Sequence, residues 1–168
     1  MNDEVKKSIV GIDPGFKGGL AHLCETDRGI KVIASIPMPV FHGRKTEIDR
    51  RGVIAFLTRA DPKKVLIEQV GAMPKQGVTS MFRFGYGAGL LEGISLGLGF
   101  SIELVRPQTW QAKVLVGYPK TGKGKSSVLF CQREFPDANL LATERSRVPH
   151  DGISDSIAIA CYGITKNN

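Results

Sequence analysis

Cysteine and histidine are scarce in this chain, with three of each, and tryptophan occurs once. Cys24, Cys131 and Cys161 are odd in number and form no CxxC pair, which argues against both a disulfide framework and a zinc site. They read as small core residues, and a reducing cytoplasm is the expected compartment. His22 and His42 have no partner at metal-ligand spacing and read as structural or solvent-facing. No apolar run approaches the roughly 20 residues of a membrane span, and the opening MNDEVKK lacks the apolar stretch of a secretory signal. The expected protein is therefore neither secreted nor membrane-embedded. Repeats, linkers and low-complexity tracts are also missing. With 168 residues, 42% of them hydrophobic, the chain reads as a single domain, 1–168, with a core of its own. Acidic residues are the minority charge, 16 against 23 Lys and Arg, giving +7 and a pI near 9.5. That balance favours polyanions such as nucleic acid without specifying one.

What is present begins with β-branched runs. Residues 8–12, 19–24 and 30–36 predict a three-stranded antiparallel meander, with Pro14-Gly15 and Gly18-Gly19 marking its first turn. Residues 46–60 predict a helix capped by Thr46, with Ile48, Val53, Ile54 and Leu57 at near-helical spacing. "KKVLIEQV" reads as a short buried strand ending at Glu68, and "FSIELV" as another. Between them, residues 79–98 form a helix carrying Gly85, Gly87, Gly89, Gly93 and Gly97. Glycine lowers helix propensity by about 1 kcal/mol relative to alanine, so five of them point to close helix packing, with a dimer interface as one candidate. Pro107 opens a short helix, a second runs from about Ser126 to Phe135, and a last one starts near residue 150. The order is that of a mixed α/β domain.

Four carboxylates stand out in this map. Asp13 ends the first strand and Glu68 the fourth, so neighbouring strands would set them side by side. Asp151 and Asp155, four residues apart, share one face of the last helix. Asp13 on its own is equally well read as a turn cap bonding backbone amides. Clustered carboxylates, however, repel one another unless cations lie between them. Magnesium takes oxygen ligands and is commonly held by a few carboxylates together with substrate phosphates. Two such ions about 4 Å apart serve phosphodiester cleavage.

The combination "GIDPG", "IEQV" and "DSIAIA" closely resembles the RuvC-type Holliday-junction resolvases, above all the shorter phage-encoded members, over residues 8–163. The resemblance implies an RNase H-like fold, in which a mixed five-stranded sheet (the antiparallel meander plus two parallel strands) is flanked by helices. It also implies a homodimer that makes paired symmetric nicks in four-way DNA junctions using Mg2+ or Mn2+, with two ions per site expected from the carboxylate cluster; whether three-way junctions are partners too is left open by the sequence. It assigns the metal-binding acids to Asp13, Glu68 and Asp155, and Lys125 in "GKSS" to a position near the scissile phosphate. Two departures stand beside it. The usual third acid or histidine falls at Gly152, which leaves Asp151 and His150 as candidates. Helical geometry and the hardness of magnesium favour Asp151. Gly71 occupies the place of a base-stacking Phe, with Met73, Phe82, Phe84 and Tyr86 as substitutes, although aromatics at helical spacing are usually core.

Lys113, Lys120, Lys123, Lys125 and Arg133 surround the polar loop "GYPKTGKGKSS" and form the candidate DNA-binding set, against the alternative of a solvated basic loop. Residues 117–123 imitate a Walker A loop, but Gly124 stands where a P-loop needs Ser or Thr. Trp110 reads as core, with DNA stacking as the minority alternative. Two competing functions remain open at this point, an RNA-processing nuclease of the related RNase H-like family and a catalytically silent junction-binding protein.

Overall fold

The alternation of side chains along a strand sorts the residues of the first two strands onto opposite faces. In β1 (Lys7–Asp13) and β2 (Gly19–Thr26), Ile9, Ala21 and Leu23 enter one apolar cluster, whereas Val10, Ile12 and Leu20 enter another. A two-sided sheet is the result. The computed structural model describes residues 4–69, 71, 77–119 and 125–166. β2 runs antiparallel to β1, and β3 (Gly29–Pro37) antiparallel to β2 with a bulge at His22/Leu23. β6 (Lys64–Glu68) joins the other side of β1 in parallel, and β7 (Ser101–Val105) pairs in parallel with β6. The five-stranded order is β3-β2-β1-β6-β7, the mixed sheet expected.

One face of the sheet packs against α1 (Arg50–Ala60) and α2 (Val78–Gly97) through Val53, Leu57 and Leu91. The other is covered by α3 (Pro107–Val114), α4 (Ser126–Glu134) and α5 (Asp151–Thr165). Buried Ile153, Ile157 and Ile164 place α5 at the centre of that layer. Its approach is close enough to exclude side chains. A Cβ on Gly11 would lie 2.3 Å from the Ser156 carbonyl oxygen, and one on Gly19 would lie 2.6 Å from that of Gly152. Among the described residues no helix is long and apolar enough to cross a membrane.

Two expectations need correction. Residues 46–48 are not helical, because Thr46–Ile48 forms β5, paired with β4 (Val40–His42) in a hairpin. The helix cap is instead Asp49, whose carboxylate accepts from the Arg51 amide at 3.0 Å. The glycines of α2 are also not explained by packing within the protomer. Gly87 alone meets a neighbour, Ile48, while a Cβ on Gly85, Gly89, Gly93 or Gly97 would meet nothing within 4 Å.

Candidate active site

β1 and β6 are parallel neighbours with Ile12 opposite Ile67, so the next residues, Asp13 and Glu68, leave the sheet at the same edge. α5 begins against the turn between β1 and β2, which brings Asp155 to that edge one turn into the helix. The contact also explains the glycine at position 152. A Cβ there would lie 2.3 Å from the Lys17 carbonyl oxygen and 2.5 Å from the Gly18 Cα. No residue with a side chain fits, and an acid cannot occupy that position.

The three carboxylates sense one another. Burial, then Asp155, then Glu68 push the Asp13 carboxyl up to about 7. Burial likewise raises Glu68 and Asp155, each against an opposing hydrogen bond. For Glu68 the donor is Trp110, whose indole Nε1–H lies 2.9 Å from Oε2. For Asp155 it is Ser127, at the start of α4. Asp13 accepts from the Gly15 amide at 3.3 Å, so it caps its turn as well as joining the cluster. Lys125 stands over the group as the N-cap residue of α4, its Nζ 3.2 Å from Asp151 Oδ2 and 3.8 Å from Asp155 Oδ2. Burial lowers the pKa of this lysine, but Asp155 and Asp151 outweigh that effect and hold the ammonium charged.

His150 and Asp151 differ in what they face. The His150 Nδ1 accepts from the Ile153 amide at 3.3 Å and so caps α5, which requires that nitrogen to be unprotonated. Burial lowers the pKa of His150 in the same sense. Asp151, half-exposed, reaches the cluster through Lys125.

The basic candidates separate. Lys113 donates to the Thr165 carbonyl at 2.7 Å, at the opposite end of α5 from the acids. Arg133 lies at the far end of α4 from Lys125, paired with Glu134 at 3.5 Å and over the Tyr118 ring. Only Lys125 of the described basic candidates is at the carboxylates. Lys120, Lys123 and Met73 fall outside the described residues. Trp110 is buried as expected, at 1% exposure. The sequence reading missed its bond to Glu68, for which the indole N–H of a residue read as core is the one available signal. Ser127 carries no comparable signal. Phe82 and Tyr86 were expected in the core and are exposed instead, at 73% and 56%. His22 is structural, buried with its Nε2 2.9 Å from Ser8 Oγ.

Among the described residues no three Asp, Glu, His or Cys side chains converge as they stand on a point that could hold an ion. The chemistry of the donors nonetheless suits a hard cation. All are carboxylate oxygens, Asp13 is destabilised as an anion by burial and then by its acidic neighbours, and an ammonium already lies among them.

No protein-family model and no curated protein matches the sequence. Solved structures do match the fold. Thermus thermophilus RuvC superposes with a TM-score of 0.62 at 16% identity, over 95% of this chain and 96% of that one. The fowlpox virus resolvase in complex with its substrate Holliday-junction DNA gives 0.53 at 16% identity, over 95% and 98%. The yeast mitochondrial Holliday-junction resolvase gives 0.57 at 13% identity, over 95% and 78%. With a mixed five-stranded sheet flanked by helices on both faces, the chain has the RNase H-like fold of the RuvC-type Holliday-junction resolvases.

Proposed function

We propose that the chain is a single-domain, divalent-metal-dependent endonuclease that nicks branched DNA, with the four-way junction as its main substrate. The observation that carries this reading is the meeting of Asp13, Glu68 and Asp155 at one sheet edge under the Lys125 ammonium, with Asp13 raised to about 7 by burial and by the other two acids. Anions crowded in this way are matched to a cation and to the phosphate it would bring. Asp13, Glu68 and Asp155 would hold Mg2+ or Mn2+, with Asp151 as a fourth oxygen donor. When bound, the metal stabilises charge developing on the phosphate and lowers the pKa of water.

The protein's own part is positioning. Trp110 fixes the rotamer of Glu68, Ser127 that of Asp155 and the Gly15 amide that of Asp13. Lys125, which two carboxylates hold in place, is set to donate to a non-bridging phosphate oxygen. His150 organises the start of α5 and keeps Asp151 and Asp155 one turn apart. Paired nicks on opposed strands need two sites related by a two-fold axis. The exposed face of α2, with four unapproached glycines beside Val78 and Leu96, is the surface through which we expect two copies to meet.

The test incubates the protein, with and without magnesium, with a synthetic four-way junction, a three-way junction, a linear duplex and a structured RNA. Magnesium-dependent paired nicks in the four-way junction, lost in Glu68→Gln while junction binding persists, support the reading. Preferential cutting of the RNA, binding without cutting, or Glu68→Gln nicking at the wild-type rate would overturn it.

A further inference from the structure

The β1–β2 turn, residues 14–18, follows directly on Asp13 and is approached from both sides of the sheet. On one side α5 meets it backbone to backbone, with Gly152 against Lys17 and Gly18. On the other side α2 meets it beside a cavity of about 370 Å³, lined by Phe16, Ile48, Arg83 and Gly87 among others. The turn therefore lacks on this side the solid backing that α5 supplies. Its shape is also what places the acid. The Gly18 amide donates to the Gly15 carbonyl at 2.8 Å, and the Gly15 amide donates to Asp13 Oδ1 at 3.3 Å, so a shift of the turn carries the carboxylate with it.

Arg83 spans the open side. Its guanidinium lies 5.0 Å from the Phe16 ring centroid and donates to the Thr46 carbonyl of β5. One side chain of α2 thus joins the turn after Asp13 to the β4–β5 hairpin. A planar guanidinium suits this double task, because it can lay its face on a ring and point its edge at a carbonyl, whereas an ammonium is a point charge. Gly87, one helical turn on, shares the face of Arg83. A Cβ there would lie 3.2 Å from Ile48 Cδ1 and 3.9 Å from the Pro14 carbonyl oxygen, so α2 follows the turn along its length. Gly85 and Gly89, two positions either side, point about 160° away from Gly87. The clamp and the surface through which two copies are expected to meet therefore occupy different faces of α2.

We propose that Arg83 is a positioning residue for metal binding, which pins Phe16 and so holds the β1–β2 turn and the Asp13 carboxylate beside Glu68 and Asp155. The inference rests on the reading of these acids as the metal site. Arg83 acts through Phe16 and touches neither the acids nor the phosphate. Without it the turn keeps its α5 contact but is free to swing on the cavity side.

The experiment first follows amide hydrogen exchange in the full-length, metal-free protein. Arg83→Met and Phe16→Leu each speed exchange of the Gly15 and Gly18 amides about tenfold, the loss of one cation–π contact and one hydrogen bond expressed in an opening equilibrium. The buried amides of α5 are unaffected. Phe16→Leu adds nothing in the Arg83→Met background, since each removes the same contact, and Phe16→Tyr, which keeps a ring face, behaves as the wild type. A magnesium titration of four-way junction nicking then shows a requirement raised about tenfold in Arg83→Met and Phe16→Leu, while junction affinity and its salt dependence stay at the wild-type values. Unchanged exchange at the turn would overturn the proposal. So would equal acceleration over α5, which marks a general loss of stability, and so would full additivity of the two variants. A junction affinity that falls in Arg83→Met, with the slope of log K against log salt lower by about one, would make Arg83 a phosphate contact instead. Exchange is read without metal or DNA, so a wild type that nicks nothing yet shows the exchange pattern counts against the nuclease reading and not against the clamp.

Discussion

α5 and α2 are both apolar helices rich in small residues, and the fold uses them in opposite ways. Eleven of the fifteen residues of α5 are buried, against three of the twenty in α2. Glycine makes the contrast sharper. Around α5, at Gly11, Gly19 and Gly152, an added methyl group would collide with backbone at 2.3–2.6 Å, whereas four of the five α2 glycines face open space. The same residue marks a closed contact in one place and an unfilled face in the other. The acids accompany the closed contact, since Asp151 and Asp155 enter the site only because α5 lies so tightly on the β1–β2 turn. The rings of Phe82 and Tyr86 accompany the open face.

The strongest test of this comparison is Gly11→Ala. Its methyl would press on the Ser156 carbonyl and the Ala160 amide, both fixed by the helix, so we expect a loss of about 3 kcal/mol or more in urea unfolding. A near-neutral variant would mean that α5 is not held as closely as the contact requires.

Asp13→Asn comes next, because it relieves the charge cost of that closeness. Unfolded, Asp13 ionises near 3.8, and folded, at about 7. Between those values the folded state keeps a proton that the unfolded chain has released, so stability falls as pH rises through the window and the penalty is complete above about 7. Glu68 and Asp155, also raised chiefly by burial, act in the same direction. In a chelator, Asp13→Asn should therefore unfold at higher urea than the wild type at pH 8, with a shallower pH dependence, and it should not nick. A wild type whose metal-free stability rises from pH 4 to 7 would contradict the burial of these acids.

A smaller effect separates the two residues at the start of α5. Asp151→Asn should raise the magnesium requirement for nicking by about tenfold, the lower end of what a supporting ligand contributes. It should change stability little, since the side chain is half-exposed. His150→Ala should lose about 1 kcal/mol of stability through its cap to Ile153 and shift the magnesium requirement less. The reverse order in a magnesium titration of cleavage would give the metal role to His150.

The smallest change belongs to the open face. Gly89→Ala meets nothing within 4 Å and improves helix propensity, so the dilute protomer should gain about 0.5–1 kcal/mol. Sedimentation of the same variant should show weaker self-association if two copies meet along α2. A destabilised protomer would place Gly89 in a contact like those of α5.

The five strands of the main sheet and the acids at their ends were legible in the sequence. Asp13 and Glu68 each follow an apolar β-branched run, and an acid that ends a buried run must emerge at the sheet edge. The four-residue spacing of Asp151 and Asp155 was legible for the same local reason. The β4–β5 hairpin was legible in principle, since Gly43 separates two short strand-like stretches, but Thr46 imitates a helix cap equally well and local propensity cannot choose between them. Other placements follow from tertiary packing. It set Trp110 against Glu68, Lys113 at the far end of α5 and Lys125 over the acids, because those positions depend on how layers distant in sequence are stacked. It also showed why position 152 must be glycine. Local sequence encodes period and chain direction, but a helix lying so close to a turn is set by the packing of the whole sheet, and that contact leaves no room for a side chain at position 152.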